Sequence, residues 1–122
     1  MAKVLIVDDS KTSRRILKGI LEECGHEIIG EAENGEEGYL KYKELQPDFV
    51  TMDITMPKMD GIECLKVIRH YDENAKIVMI TAAGQKDKVM EAIKNGAAEF
   101  ITKPFEKADI AKALDTVCKE KS

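Results

Sequence analysis

Val4-Leu5-Ile6-Val7-Asp8-Asp9 carries four apolar residues directly into two carboxylates, and Phe49-Val50-Thr51-Met52-Asp53 repeats the arrangement in mid-chain. A short apolar run bounded by polar residues marks a parallel strand covered on both faces. Working outward from these two, strands are expected over residues 4–7, 27–32, 49–52, 77–80 and 100–101. The second alternates more and carries Glu27, Glu31 and Glu33. That composition places it at a sheet edge.

Helix-length amphipathic stretches separate the strands. In the first, Ile16, Leu17, Ile20, Leu21 and Cys24 share a face, and Gly25 supplies the stop. The second starts at Asn34 with Glu37 three residues on, a capping-box arrangement, and ends before Pro47. Its Gly38 costs about 1 kcal/mol against alanine unless close packing demands it. The third begins at Asp60, with Glu63 following, and buries Ile62, Leu65 and Ile68. The fourth carries Val89, Met90 and Ile93 and stops at Gly96. In the last, Ile110, Ala111, Leu114, Val117 and Cys118 form the stripe.

Five β-α units imply an α/β fold: a doubly wound five-stranded parallel sheet, order 2-1-3-4-5, with helices on both faces. Ligands of such sheets bind beyond the carboxyl ends of the strands where the winding reverses, here between the first and third strands. Asp8, Asp9 and Asp53 stand at that point. Two unit charges at about 4 Å repel by roughly 4 kcal/mol at a protein surface, so the cluster implies a cation. Oxygen-only ligands in an open site suit Mg²⁺, with Mn²⁺ as a substitute. Thr81 and Lys103-Pro104 fall at the same sheet edge. A hydroxyl and an ammonium converging on a metal-bound carboxylate form a receptor for a transferred phosphoryl group.

The remaining composition narrows the field. The 122 residues suffice for one domain, and a net charge of −4 without a dense basic stripe argues against nucleic-acid binding. Lys11, Arg14, Arg15 and Lys18 read as a solvated face of the first helix. Cys24, Cys64 and Cys118 are scattered and odd in number, which fits small buried apolar residues in a reducing compartment. His26 and His70 have no partners at ligand spacing. The apolar run after Lys3 is too short for a signal peptide or a membrane span, so a cytoplasmic location is expected. Neither Gly-x-Gly-x-x-Gly nor a P-loop occurs.

Asp8-Asp9, the segment Met52-Asp53-Ile54-Thr55-Met56-Pro57-Lys58-Met59-Asp60-Gly61, Thr81-Ala82 and Lys103-Pro104-Phe105 together resemble bacterial response-regulator receiver domains over essentially the whole chain. The resemblance implies a flavodoxin-like fold, one receiver domain over residues 1–122 with no output domain, and a phosphoryl acceptor rather than an enzyme. Asp53 would become the acyl phosphate, accepting the group from a histidine kinase. Asp9, Asp53 and the Thr55 backbone carbonyl would bind Mg²⁺ directly, and Asp8 through water. Lys103 would pair with Asp53 and then with the phosphoryl oxygens, aimed inward by a cis Lys103-Pro104 bond. The Thr81 hydroxyl and the Ala82 N–H would bind the phosphoryl group.

Phe100, nineteen residues after Thr81, stands where the family has its switch aromatic; plain core packing is the competing reading. Thr55 and Ala83 stand at the two positions that in this family tune acyl-phosphate lifetime, and they depart from the amide and acidic side chains of many chemotaxis regulators. The segment from Ile80 through Gly84-Gln85 to Phe105 is most similar to stand-alone chemotaxis regulators, which bind the flagellar motor switch. A monomer is expected, with a phosphatase partner of unspecified type. The alternative is a phosphorelay intermediate serving a histidine phosphotransfer protein. A phosphatase of haloacid-dehalogenase type is remote, because Thr55 stands where its general acid would be.

Overall fold

The computed structural model describes residues 2–119. Its elements alternate as β1 (Lys3–Val7), α1 (Lys11–Glu23), β2 (Glu27–Ala32), α2 (Gly35–Leu45), β3 (Phe49–Asp53), α3 (Gly61–Tyr71), β4 (Ile77–Thr81), α4 (Lys86–Lys94), β5 (Glu99–Thr102) and α5 (Lys107–Lys119). All strand pairs are parallel and the order is β2-β1-β3-β4-β5, with β2 at an edge as its glutamates suggest. Asp53 and Thr81 are the last residues of their strands, each one position beyond the end expected from its apolar run.

Alternation along the buried strands builds two cores. Leu5, Val7, Val50, Met52, Ile77 and Met79 face one side, where they meet Tyr42 of α2, Ile62, Leu65 and Ile68 of α3, and Ala92 of α4. Val4, Ile6, Phe49, Val78 and Ile80 face the other, against Leu17 and Leu21 of α1 and Ile110, Leu114 and Val117 of α5. The helix starts follow their caps: Asn34 Oδ1 accepts the Glu37 N–H at 2.9 Å, and Asp60 Oδ1 accepts the Glu63 N–H at 2.9 Å. Gly38 is explained by packing. A Cβ there would stand 3.0 Å from Val7 Cγ1, so its absence lets α2 lie close on β1.

Several expectations about helix faces need correction. Ile16 and Ala111 are exposed, and their stripes are narrower than the periodicity suggests. Met90 and Ile93 are 55% and 51% exposed, while Ala92 turns inward. Helix α4 lies beside the outermost part of the sheet and has only a narrow surface to cover. Arg14 does not belong to a solvated face; it is buried. Cys64 is buried, its S–H donating to the Gly35 carbonyl, and burial with the nearby Asp60 charge pushes its pKa up to about 12. Cys24 is only half-buried, and the Cys118 side chain lies outside the described residues. His26 is partly buried, with Nδ1 accepting the Ala2 N–H. Among the described residues, no helix is long and apolar enough to cross a membrane.

Candidate phosphoryl-acceptor site

The site forms because β1 and β3 are neighbours in register, Val7 opposite Met52, so that the residues leaving both strands converge. One carboxylate oxygen from each of Asp8, Asp9 and Asp53 lies within 4.8 Å of the others. Asp8 is 1% exposed, Asp53 is largely buried and Asp9 faces solvent. Asp8 is held from several sides. Its N–H donates to the Ala32 carbonyl at 3.0 Å, its Oδ1 accepts the Ser10 N–H at 2.8 Å, and its carbonyl accepts from Arg14 Nη1 at 2.6 Å. Its Oδ2 is buried without a hydrogen-bond partner.

Lys103 Nζ lies 3.7 Å from Asp53 Oδ2 and 4.0 Å from Asp8 Oδ2. The Lys103–Pro104 peptide bond is cis. One ammonium does not balance this much negative charge. Burial, and then the Asp8 charge, raise the Asp53 pKa against the opposing pull of Lys103. Burial is also the largest cause of the raised Asp8 pKa.

The donor set fits a hard divalent cation. All candidate ligands are oxygens, burial and neighbouring charge disfavour the ionised forms of Asp8 and Asp53, and Asp8 Oδ2 is a buried acceptor without a hydrogen-bond partner. Asp8, Asp9 and Asp53 are the clustered residues that would hold it.

Thr81 ends the neighbouring strand, one residue past Ile80, the register partner of Asp53. Its hydroxyl is engaged with Gln85 Oε1 at 3.1 Å, and the Ala82 N–H donates to the same oxygen at 2.8 Å. Phe100 is 40% exposed, so simple core packing does not describe it. Its ring lines a groove with Thr81, Met90 and Ile93.

Two residues near the site escaped the sequence reading. Arg14 looked like one member of a basic run, yet it fastens the Asp8 backbone and pairs with Glu31 at 3.1 Å and Glu33 at 3.5 Å. Its helical phase, three positions before Leu17 on the buried stripe, was the available signal. Gln85 carried no signal beyond its place after Gly84.

The response regulator receiver domain model matches residues 4–115. The chemotaxis protein CheY of Thermotoga maritima is 53% identical over 117 residues, spanning 96% of this chain and 98% of that protein. The chemotaxis protein CheY of Bacillus subtilis is 49% identical over 113 residues, spanning 93% and 94%. The crystal structure of the CheX–CheY–BeF3–Mg²⁺ complex from Borrelia burgdorferi has a TM-score of 0.91 at 43% identity and covers 95% of this chain and 88% of that chain. With the sheet order, the acidic cluster and the facing lysine all in agreement, this chain belongs to the response regulator receiver domain family.

Proposed function

We propose that residues 1–122 act as one receiver unit, a phosphorylation-dependent switch in chemotaxis whose phosphoryl acceptor is Asp53. One observation carries the reading. Asp53 ends β3 where the sheet reverses, within 4.8 Å of two other carboxylates and 3.7 Å from the Lys103 ammonium. Such a site offers a nucleophilic oxygen together with charge compensation, the two requirements of phosphoryl transfer.

An Asp53 carboxylate oxygen attacks the phosphorus of a phosphohistidine on a kinase, and the histidine leaves. Lys103 follows the growing negative charge from the carboxylate to the phosphoryl oxygens. The Thr81 hydroxyl and Ala82 N–H, at the end of the adjacent strand, are donors for those oxygens. Asp9, Asp53 and the Thr55 carbonyl would hold Mg²⁺ directly and Asp8 through water, and the ion would supply charge neutralisation there. The Borrelia relative solved with Mg²⁺ and BeF3 supports this assignment.

The chemotaxis role rests on relatives named CheY that match nearly end to end. The output is a protein contact, with a motor-switch component as the target, and the exposed Met90, Ile93 and Phe100 of one groove support a partner surface there. A cytoplasmic location accords with the kinase donor and with the free thiols of Cys24 and Cys64.

Mass spectrometry after incubation with acetyl phosphate and Mg²⁺ tests the acceptor. The wild-type protein should gain one hydroxylamine-labile phosphoryl group, and Asp53→Asn or added chelator should abolish it. Labelling that survives in Asp53→Asn would move the nucleophile elsewhere. Capture of motor-switch proteins by beryllofluoride-loaded protein would support the chemotaxis circuit; capture of a histidine phosphotransfer protein instead would favour a phosphorelay.

A further inference from the structure

Gln85 stands at the N-cap position of α4, yet its side chain makes no capping hydrogen bond. It reaches back across the ends of β3 and β4 instead. Gly84, at φ +88, supplies the left-handed turn that sends the chain that way, a conformation L side chains rarely adopt. Gln85 Oε1 accepts the Ala82 N–H at 2.8 Å and lies 3.1 Å from the Thr81 hydroxyl, which it shares with the Ala82 carbonyl, also at 3.1 Å. Gln85 Nε2 donates to Thr55 Oγ1 at 3.0 Å. The amide orientation follows from chemistry. A backbone N–H can only donate, so the oxygen must face Ala82 and the nitrogen must face Thr55.

Gln85 Oε1 thus engages the same two donors, the Thr81 hydroxyl and the Ala82 N–H, that the proposed function assigns to a phosphoryl oxygen. We infer that Gln85 is a resident competitor for the phosphoryl group on Asp53: its carboxamide fills the Thr81–Ala82 receptor until the modification expels it, and the Thr55 hydroxyl is the latch that holds it there. The inference rests on the Asp53 reading above. The exchange runs forward because bonds to an anionic phosphoryl oxygen are roughly twice as strong as those to a neutral amide. Gln85 therefore sets a threshold without preventing activation.

Two consequences follow. The side chain at position 55 acts on the switch through Gln85, besides any effect on the acyl phosphate itself. Expulsion also frees the residue at the start of α4, the helix whose Met90 and Ile93 line the groove shared with Phe100.

Beryllofluoride titration with Mg²⁺, followed at the Ala82 amide resonance, tests the competition. Gln85→Ala should bind about tenfold tighter than wild type, from the release of two neutral hydrogen bonds. Thr55→Val should give a smaller gain in the same direction and add nothing in the Gln85→Ala background. The free proteins should differ at the Ala82 amide, and the saturated ones should coincide. If Gln85→Ala binds equally or more weakly, Gln85 merely braces the loop and the competition is wrong. If saturated wild type and Gln85→Ala still differ at Ala82, the amide was never expelled, which also overturns it. No binding by wild type would sink the Asp53 reading and this inference together, a result distinct from either.

Discussion

Lys103 Nζ stands 3.7 Å from Asp53 Oδ2, too far for a direct hydrogen bond and close enough for a strong charge interaction. The Asp53 carboxylate is therefore partly compensated without being hydrogen-bonded to the lysine. In the proposed role of Asp53 as acceptor, a shorter bond would engage an attacking lone pair, and a longer separation would leave the carboxyl protonated more readily.

Removal of that ammonium should separate chemistry from response. Lys103→Met should still take up a phosphoryl group from acetyl phosphate, about tenfold more slowly. Its Thr81 and Ala82 resonances should shift little on phosphorylation. A full-sized shift would show that the lysine is dispensable for the switch.

The acidic cluster makes the metal-free protein sensitive to pH. Asp8 has a pKa raised above 3.8, mainly by burial, so the folded state binds its proton more tightly than the unfolded chain. Its contribution to stability is complete below the unfolded value and is lost as pH rises through the folded value. In chelator at neutral pH, Asp8→Asn should melt about 5 °C higher than wild type. The gap should close as pH falls toward the ordinary carboxylate range, and Mg²⁺ should raise the melting temperature of wild type more than that of the variant. A wild-type protein as stable as Asp8→Asn in chelator would contradict the electrostatic account.

Arg14 positions Asp8 through its carbonyl. Arg14→Met retains the apolar stem and removes the bond, which should cost about 2 kcal/mol in urea unfolding. Mg²⁺ affinity, read by titration, should weaken as well, because the loop that carries Asp8 and Asp9 is no longer fastened. Unchanged affinity with reduced stability would restrict Arg14 to a structural role.

Gly38→Ala sets two effects against each other. The helix gains about 1 kcal/mol of propensity. The new methyl would meet Val7 Cγ1 at 3.0 Å in a packed core, where overpacking costs about 1–3 kcal/mol. A net loss near 1 kcal/mol is expected in equilibrium unfolding, and a gain would show that β1 and α2 can separate freely.

The strands, their order and the acidic site were legible because each depends on local pattern. Runs such as 4–7 and 77–80 are apolar without interruption, so parallel burial was the economical reading, and Asp8, Asp53 and Thr81 followed from where the runs stop. Asn34 and Asp60 announced their helices through side chains that bond only three residues away. What depends on distant neighbours was hidden. Met90 and Ile93 have helical spacing, but whether a stripe is covered depends on the sheet beside it, and β5 is a four-residue edge strand.

Arg14 and Gln85 mark the same boundary. As sequence, one is a cation in a basic run and the other a polar residue in a turn. Only the folded chain brings Arg14 to the Asp8 carbonyl and Gln85 to Thr55, thirty residues away. Periodicity reports which side of an element is apolar; it carries no information about which particular polar groups meet once the elements have packed. A long flexible side chain finds its partner through tertiary geometry, and that geometry decided how this site is occupied.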